Sequence, residues 1–138
     1  MRTTIWAAAI VLASGPYPFF AQVPPRDAPR DRPSKYVSCS RDHLTSYTGL
    51  VTEYRRENGR TTLTIRTDWD TTERVELKHP GTDDPSRWFL LRGRPFTPDD
   101  WKEVEVERGR LKPKLRATAW VCDDGTNAIV DWDRPREK

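Results

Sequence analysis

Apolar and polar positions alternate with a period of two through the middle of this chain, in runs of strand length separated by turn dipeptides. Asn58-Gly59 is a strong hairpin signal, because a type I′ turn needs positive φ at both central residues. A two-residue loop there sets Glu57 opposite Arg60, Tyr54 opposite Leu63, Thr52 opposite Ile65 and Leu50 opposite Thr67. One face then gathers Leu50, Tyr54, Leu63, Ile65 and Trp69. The other gathers Gly49, Glu53, Arg55, Thr62, Thr64, Arg66 and Asp68, with Val51 its single apolar member.

A three-residue loop at Asp70-Thr71-Thr72 extends the pattern. It aligns Asp68 with Arg74 and Arg66 with Glu76 on one face, and Thr67 with Val75 and Ile65 with Leu77 on the other. Segments 47–57, 60–69 and 73–79 thus read as a three-stranded meander. His79-Pro80-Gly81 ends it, and Trp88–Leu91 is a short apolar strand expected to be buried on both faces.

Thr97-Pro98-Asp99-Asp100 is a helix start, with Thr at the N-cap, Pro at the first position and acids in the first turn. A single helical turn is expected, anchored by Trp101 and Val104. Alternation resumes at Glu103. A turn at Arg108-Gly109 sets Glu107 against Arg110, Glu105 against Lys112 and Glu103 against Lys114, with Val106 facing Leu111 and Val104 facing Pro113. A last turn at Asp124-Gly125 sets Val121 against Ala128, Trp120 against Ile129, Ala119 against Val130 and Ala117 against Trp132. Small residues facing a Trp point to a closed, filled barrel interior. The fold class is therefore mainly β, a small antiparallel OB-like barrel, with an SH3-like barrel or open β-roll as the alternative topology.

The ends of the chain differ from this body. Arg2 followed by the apolar run Ile5–Ala13 has the form of a secretory signal, too short to span a bilayer, and residues 1–22 are assigned to it. Residues 23–35, opening VPPRDAPRDRPS, form a linker rich in Pro, Arg and Asp with little to bury. One domain occupies 36–133, and 134–138 is a polar tail. A total of 138 residues leaves no room for a second domain. Export to the periplasm or the medium follows, with no stable membrane span after signal removal. In that oxidising setting Cys39 and Cys122 are expected to pair.

Charge narrows the function. From Gly49 onward 18 basic residues meet 18 acidic ones, so the domain is neutral although the chain carries +3. That argues against a nucleic-acid partner. The basic series Arg108, Arg110, Lys112, Lys114, Arg116 is largely neutralised if its hairpin forms. Asp68, Asp70 and Glu73 lack the Gly and the distant Glu of a calcium loop. The carboxylate pairs fall at turns, where Asp is a turn former. No nucleophile motif, metal box or phosphate loop is present, and nothing calls for a catalytic residue, metal or cofactor.

What remains is aromatic and cationic. Trp120, Trp69, Arg92, Arg94 and Arg116 are the candidate ligand-binding residues, since Trp and Arg dominate recognition surfaces. The expected function is an exported, non-enzymatic β-barrel module that binds a protein, peptide or glycan partner in the cell envelope or outside the cell. Two alternatives stand beside it: an OB-type oligonucleotide-binding domain, and a small metal-dependent hydrolase using His79, Asp83 and Asp84.

Overall fold

The computed structural model describes residues 35–133. The expected signal (1–22), nearly all of the linker and the tail (134–138) lie outside the described residues. Within them the chain is mainly β. Strands β1 (Leu44–Glu57), β2 (Arg60–Thr67) and β3 (Thr72–Lys78) form the meander, followed by β4 (Phe89–Leu91) and β5 (Arg94–Pro95). One helical turn, α1 (Trp101–Val104), leads into β6 (Glu105–Glu107) and β7 (Arg110–Leu111), and the chain closes with β8 (Arg116–Cys122) and β9 (Ile129–Trp132). Seven strands make one sheet in the order β3-β2-β1-β8-β9-β4-β5, and β6 pairs only with β7.

This sheet departs from the expected barrel in two ways. It is not closed, since β3 and β5 are its two edges. Nor is it wholly antiparallel, because β4 lies parallel to β9, with Phe89 opposite Val130 and Leu91 opposite Trp132. The apolar β4 takes the position beside β9 that a closing strand from the meander would need. The sheet instead coils around one core, to which β2 and β3 contribute Leu63, Ile65, Val75 and Leu77. From the other half come Phe89, Leu91, Ala117, Ala119, Val130 and Trp132. Trp132 fits over Ala117, its cross-strand partner, and meets Phe89 and Tyr54 edge-on at centroid distances of 5.3 and 6.0 Å.

The long strand β1 makes the coil possible. Its first half pairs with β8 and its second half with β2. The two halves meet at Gly49, where the backbone of Arg66 and Thr67 comes too close for any side chain. Just beyond, a bulge at Thr52 corrects the expected register. Tyr54 faces Leu63 as expected, but Val51 rather than Thr52 faces Ile65, and Gly49 rather than Leu50 faces Thr67. The extra residue turns Val51 toward the core and removes the one apolar exception on the outer face.

The β2–β3 turn is also corrected. Its three-residue loop is Asp68-Trp69-Asp70, closed by the Thr67 amide donating to the Thr71 carbonyl at 2.8 Å, with Asp70 in the left-handed region at φ 61°. Leu63 therefore faces Val75 and Thr61 faces Leu77, while Ile65 lies opposite Glu73 instead of Leu77. The slip is four residues. An even slip keeps Val75 and Leu77 inside, so the alternation is satisfied by either register. Trp69 moves from the expected apolar face to the hairpin tip, 59% exposed.

In the β6–β7 hairpin Glu107 faces Arg110 as expected, but a bulge at Val106 sets Glu105 against Leu111 rather than Lys112. Glu103 lies in α1, and Glu105 turns inward. The final hairpin keeps the expected register at Ala117–Trp132, Ala119–Val130 and Trp120–Ile129. The helix start forms as read, with a capping box between Thr97 and Asp100.

Candidate functional site

Strands β8 and β9 carry a second face that points away from the core. Trp120 and Ile129 lie side by side on it, and Cys122 follows at the end of β8. Cys122 is bonded to Cys39, 83 residues earlier, as the sequence leads one to expect. That bond holds the entry segment Tyr36–Ser38 against the end of β8 and creates a cleft of about 250 Å³.

Three elements complete the cleft. Tyr36, Val37 and Ser38 come from the entry segment, Arg87 and Trp88 from a 3-10 turn (Ser86–Trp88), and Thr126 and Asn127 from the β8–β9 loop. Each is fixed from behind. The Trp88 ring packs on His79 at 6.2 Å, and the Arg87 guanidinium lies 5.8 Å over Trp88. His79 is buried, with Nε2 2.8 Å from the Thr61 hydroxyl and Nδ1 2.6 Å from the Thr82 carbonyl. Since a carbonyl only accepts, Nδ1 donates to Thr82. Asn127 reads the backbone of Lys78 like a strand partner: its side-chain oxygen accepts the Lys78 amide at 2.8 Å and its amide donates to the Lys78 carbonyl at 2.7 Å.

The turn that follows β8 is electrostatically ordered. Asp124 accepts from the Thr126 hydroxyl at 2.7 Å and its amide at 3.0 Å, which holds its carboxyl below the ordinary range. His43 Nδ1 lies 2.9 Å from the Asp123 carboxylate, and that hydrogen bond and charge raise the imidazole pKa. Both pairs brace the end of β8 on which the cleft is built.

Of the five sequence-predicted binding residues, the cleft takes one. Trp120 lines it, although at 2% exposure it is a packed wall rather than an open aromatic surface. Trp69 stands at the β2–β3 tip, where the neighbouring Asp68 binds Arg116 at 2.6 and 2.7 Å. Arg92 donates to Asp133 at 2.9 Å, and Arg94 grips Asp100 through two bonds of 2.7 and 2.8 Å. None of these four lines the cleft. The alternation gave no hint of Tyr36, Arg87, Trp88 and Asn127 as a group. The expected Cys39–Cys122 bond was the one signal able to bring Tyr36 to Trp120.

The cleft offers flat indole and phenol surfaces, a guanidinium, and the hydroxyls and amide of Ser38, Thr126 and Asn127. The residues considered for a metal are engaged locally. Asp83 accepts the Gly59 amide at 3.0 Å and meets Arg108 at 3.3 Å, and Asp84 accepts the Ser86 amide at 2.9 Å. Among the described residues no three His, Cys, Asp or Glu side chains gather as a metal-holding group, and no helix is long and apolar enough to cross a membrane. Comparison with protein families, with curated proteins and with solved structures finds no match.

Proposed function

We propose that this chain is an exported, non-enzymatic recognition module that holds a short extended segment of a protein partner, in the cell envelope or outside the cell, in the cleft between Trp88 and Trp120. The observation that carries this reading is the composition of that cleft. Two indoles, a tyrosine and an arginine converge with amide and hydroxyl groups on a frame braced by a disulfide. Rigid aromatic walls with a few polar fixings are how extended and proline-rich peptides are bound, because main-chain groups need donors and acceptors and the side chains need flat surface.

Export supports the reading from two sides. The Arg2 and Ile5–Ala13 pattern has the form of a signal, and the Cys39–Cys122 bond persists in oxidising compartments. A glycan is the competing ligand for the same cleft, since indole faces also stack on sugars.

The test presents the full chain to a peptide library and to a glycan array, alongside Arg87→Ala and Trp88→Ala. Peptide ligands whose binding drops at least about tenfold in both variants, with melting unchanged for Arg87→Ala, support the reading. Glycan ligands lost in the variants would replace the peptide with a sugar. Binding that neither substitution alters would remove the cleft from consideration.

A further inference from the structure

The two edges of the main sheet are built differently. β5 spans only Arg94–Pro95 and ends in a proline, which has no amide to offer a neighbour. β3 spans Thr72–Lys78, contains no proline and pairs with β2 without a bulge. A regular edge of that length is a template on which another strand can form. Among the described residues no strand pairs with it on that side.

Contacts at the ends of β3 show which of its backbone groups face outward. The Thr71 carbonyl accepts the Thr67 amide and the His79 amide donates to the Gly59 carbonyl, so odd-numbered residues turn toward β2. The Lys78 amide and carbonyl bind the Asn127 side chain, so even-numbered residues turn away from β2. Thr72, Arg74 and Glu76 therefore present their amides and carbonyls along the free edge. Asn127 ends that edge by standing where a partner strand would meet Lys78. The side chains of Arg74 and Glu76 are exposed, whereas those of Val75 and Leu77 are buried in the core. Glu76 makes a long contact with Arg60, at 3.7 Å, and Arg74 makes no ion pair among the described residues.

We propose that this edge pairs with the same edge of a second copy of the chain, β3 antiparallel to β3, with a two-fold axis through Val75. Hydrogen bonding requires outward-facing residues to lie opposite one another, which leaves a few registers to compare. An axis through Arg74 sets Arg against Arg. An axis through Glu76 sets Glu against Glu and Arg74 against Lys78, and one through Leu77 needs the Lys78 backbone that Asn127 already holds. An axis through Glu73 brings Arg74 only to Thr72. The axis through Val75 alone sets Arg74 opposite Glu76, and symmetry repeats that pair on the other side. Each pair exchanges two backbone hydrogen bonds and closes an opposite charge across the junction. The charges that would keep an edge apart from a mismatched strand thus fit a copy of their own. This contact stands apart from the identity of any cleft ligand.

The experiment is sedimentation equilibrium of the full chain beside Arg74→Glu, Glu76→Arg and the double exchange Arg74→Glu/Glu76→Arg. The parent is expected to dimerise. Each single substitution sets like charges together at both symmetry-related pairs and should weaken the dimer at least about tenfold. The double exchange should restore it, and an equimolar mixture of the two single variants should associate, because each supplies the charge the other lacks. A parent that stays monomeric overturns the proposal and leaves the edge to a strand of another protein. A dimer that both single variants leave unchanged also overturns it, as does one that the double exchange fails to recover.

Discussion

Arg56 and Glu105 form a two-pronged buried ion pair, with Nη2 2.7 Å from Oε1 and Nε 3.2 Å from Oε2. The same carboxylate accepts the Tyr54 hydroxyl at 2.9 Å and the Gly109 amide at 3.0 Å, while Arg56 also donates to the Asp83 carbonyl at 3.1 Å. Its guanidinium lies 4.2 Å over the Trp101 ring. Each guanidinium nitrogen of Arg56 and each carboxylate oxygen of Glu105 has a partner, which is what a buried charge requires. Burial, and then the Glu105 charge, pushes the Tyr54 phenol far above its ordinary pKa, so it remains a donor throughout the working range. The cluster joins the end of β1 to α1 and to the β6–β7 hairpin, which shares no strand pairing with the main sheet. Arg56→Ala strands Glu105 in the interior and is expected to cost about 3–5 kcal/mol in urea unfolding. A loss below about 1 kcal/mol would mean that the pair acts like a surface contact.

Asp100 contributes to the pH dependence of stability. Two bonds from Arg94, with further bonds from Thr97, hold its carboxyl well below the ordinary carboxylate range, and this outweighs the opposing effect of burial. A depressed native pKa contributes stability that is fully present above the unfolded value of about 3.9 and is lost as pH falls from there toward the native value. Asp100→Asn should therefore lower the unfolding midpoint at neutral pH, and the gap from the parent should narrow below about pH 4. Chemical denaturation at a series of pH values reads this directly. A gap of constant size from neutral to acid pH would contradict it.

These two sites also mark the reach of the sequence. The capping box of Thr97 and Asp100, the Asn58-Gly59 turn and the Ala117–Trp132 register are legible because each depends on a few neighbouring residues. Glu105 was not legible. Simple alternation places it on the surface opposite Lys112, and only the bulge at Val106 turns it inward to Arg56, nearly fifty positions away. The β2–β3 slip escaped for a different reason, as a shift of four residues leaves the same side chains inside. Openness of the sheet depends on β4 pairing in parallel with β9, a contact between segments some forty residues apart for which no local turn exists. In the candidate site, Trp120 stood out by its pairing with Ile129. Trp88 did not, because a Trp beside Phe-Leu-Leu reads as core.

The disulfide is expected to dominate the stability of the cleft. It closes a loop of 83 residues' separation, and chain-entropy reasoning assigns such a loop about 4 kcal/mol. Cys39→Ser/Cys122→Ser should lower the thermal midpoint by about 15 °C or more for a domain of this size. Tyr36–Ser38 should lose protection in hydrogen exchange before the meander does, since the bond is their covalent tie to β8. An unchanged midpoint in the double variant would show that the entry segment is held by its packing alone.

Gly49 tests the coil of the sheet itself. A Cβ there would run into the Arg66 carbonyl and lie 2.7 Å from the Thr67 Cα, and both obstacles are backbone that cannot rotate away. Its φ lies outside the left-handed region, so the constraint is the closeness of β2 and not the conformation of the glycine. Gly81 is the reverse case, with φ at 83° and open space around its Cβ position. Gly81→Ala should cost about 1–2 kcal/mol, the ordinary penalty for a left-handed alanine. Gly49→Ala should exceed it, at about 3 kcal/mol or more, because β1 must move off β2 at the point where it passes from β8 to β2. Urea unfolding of the two variants side by side decides the matter. If Gly49→Ala is the milder of the two, the sheet does not turn its corner at that residue.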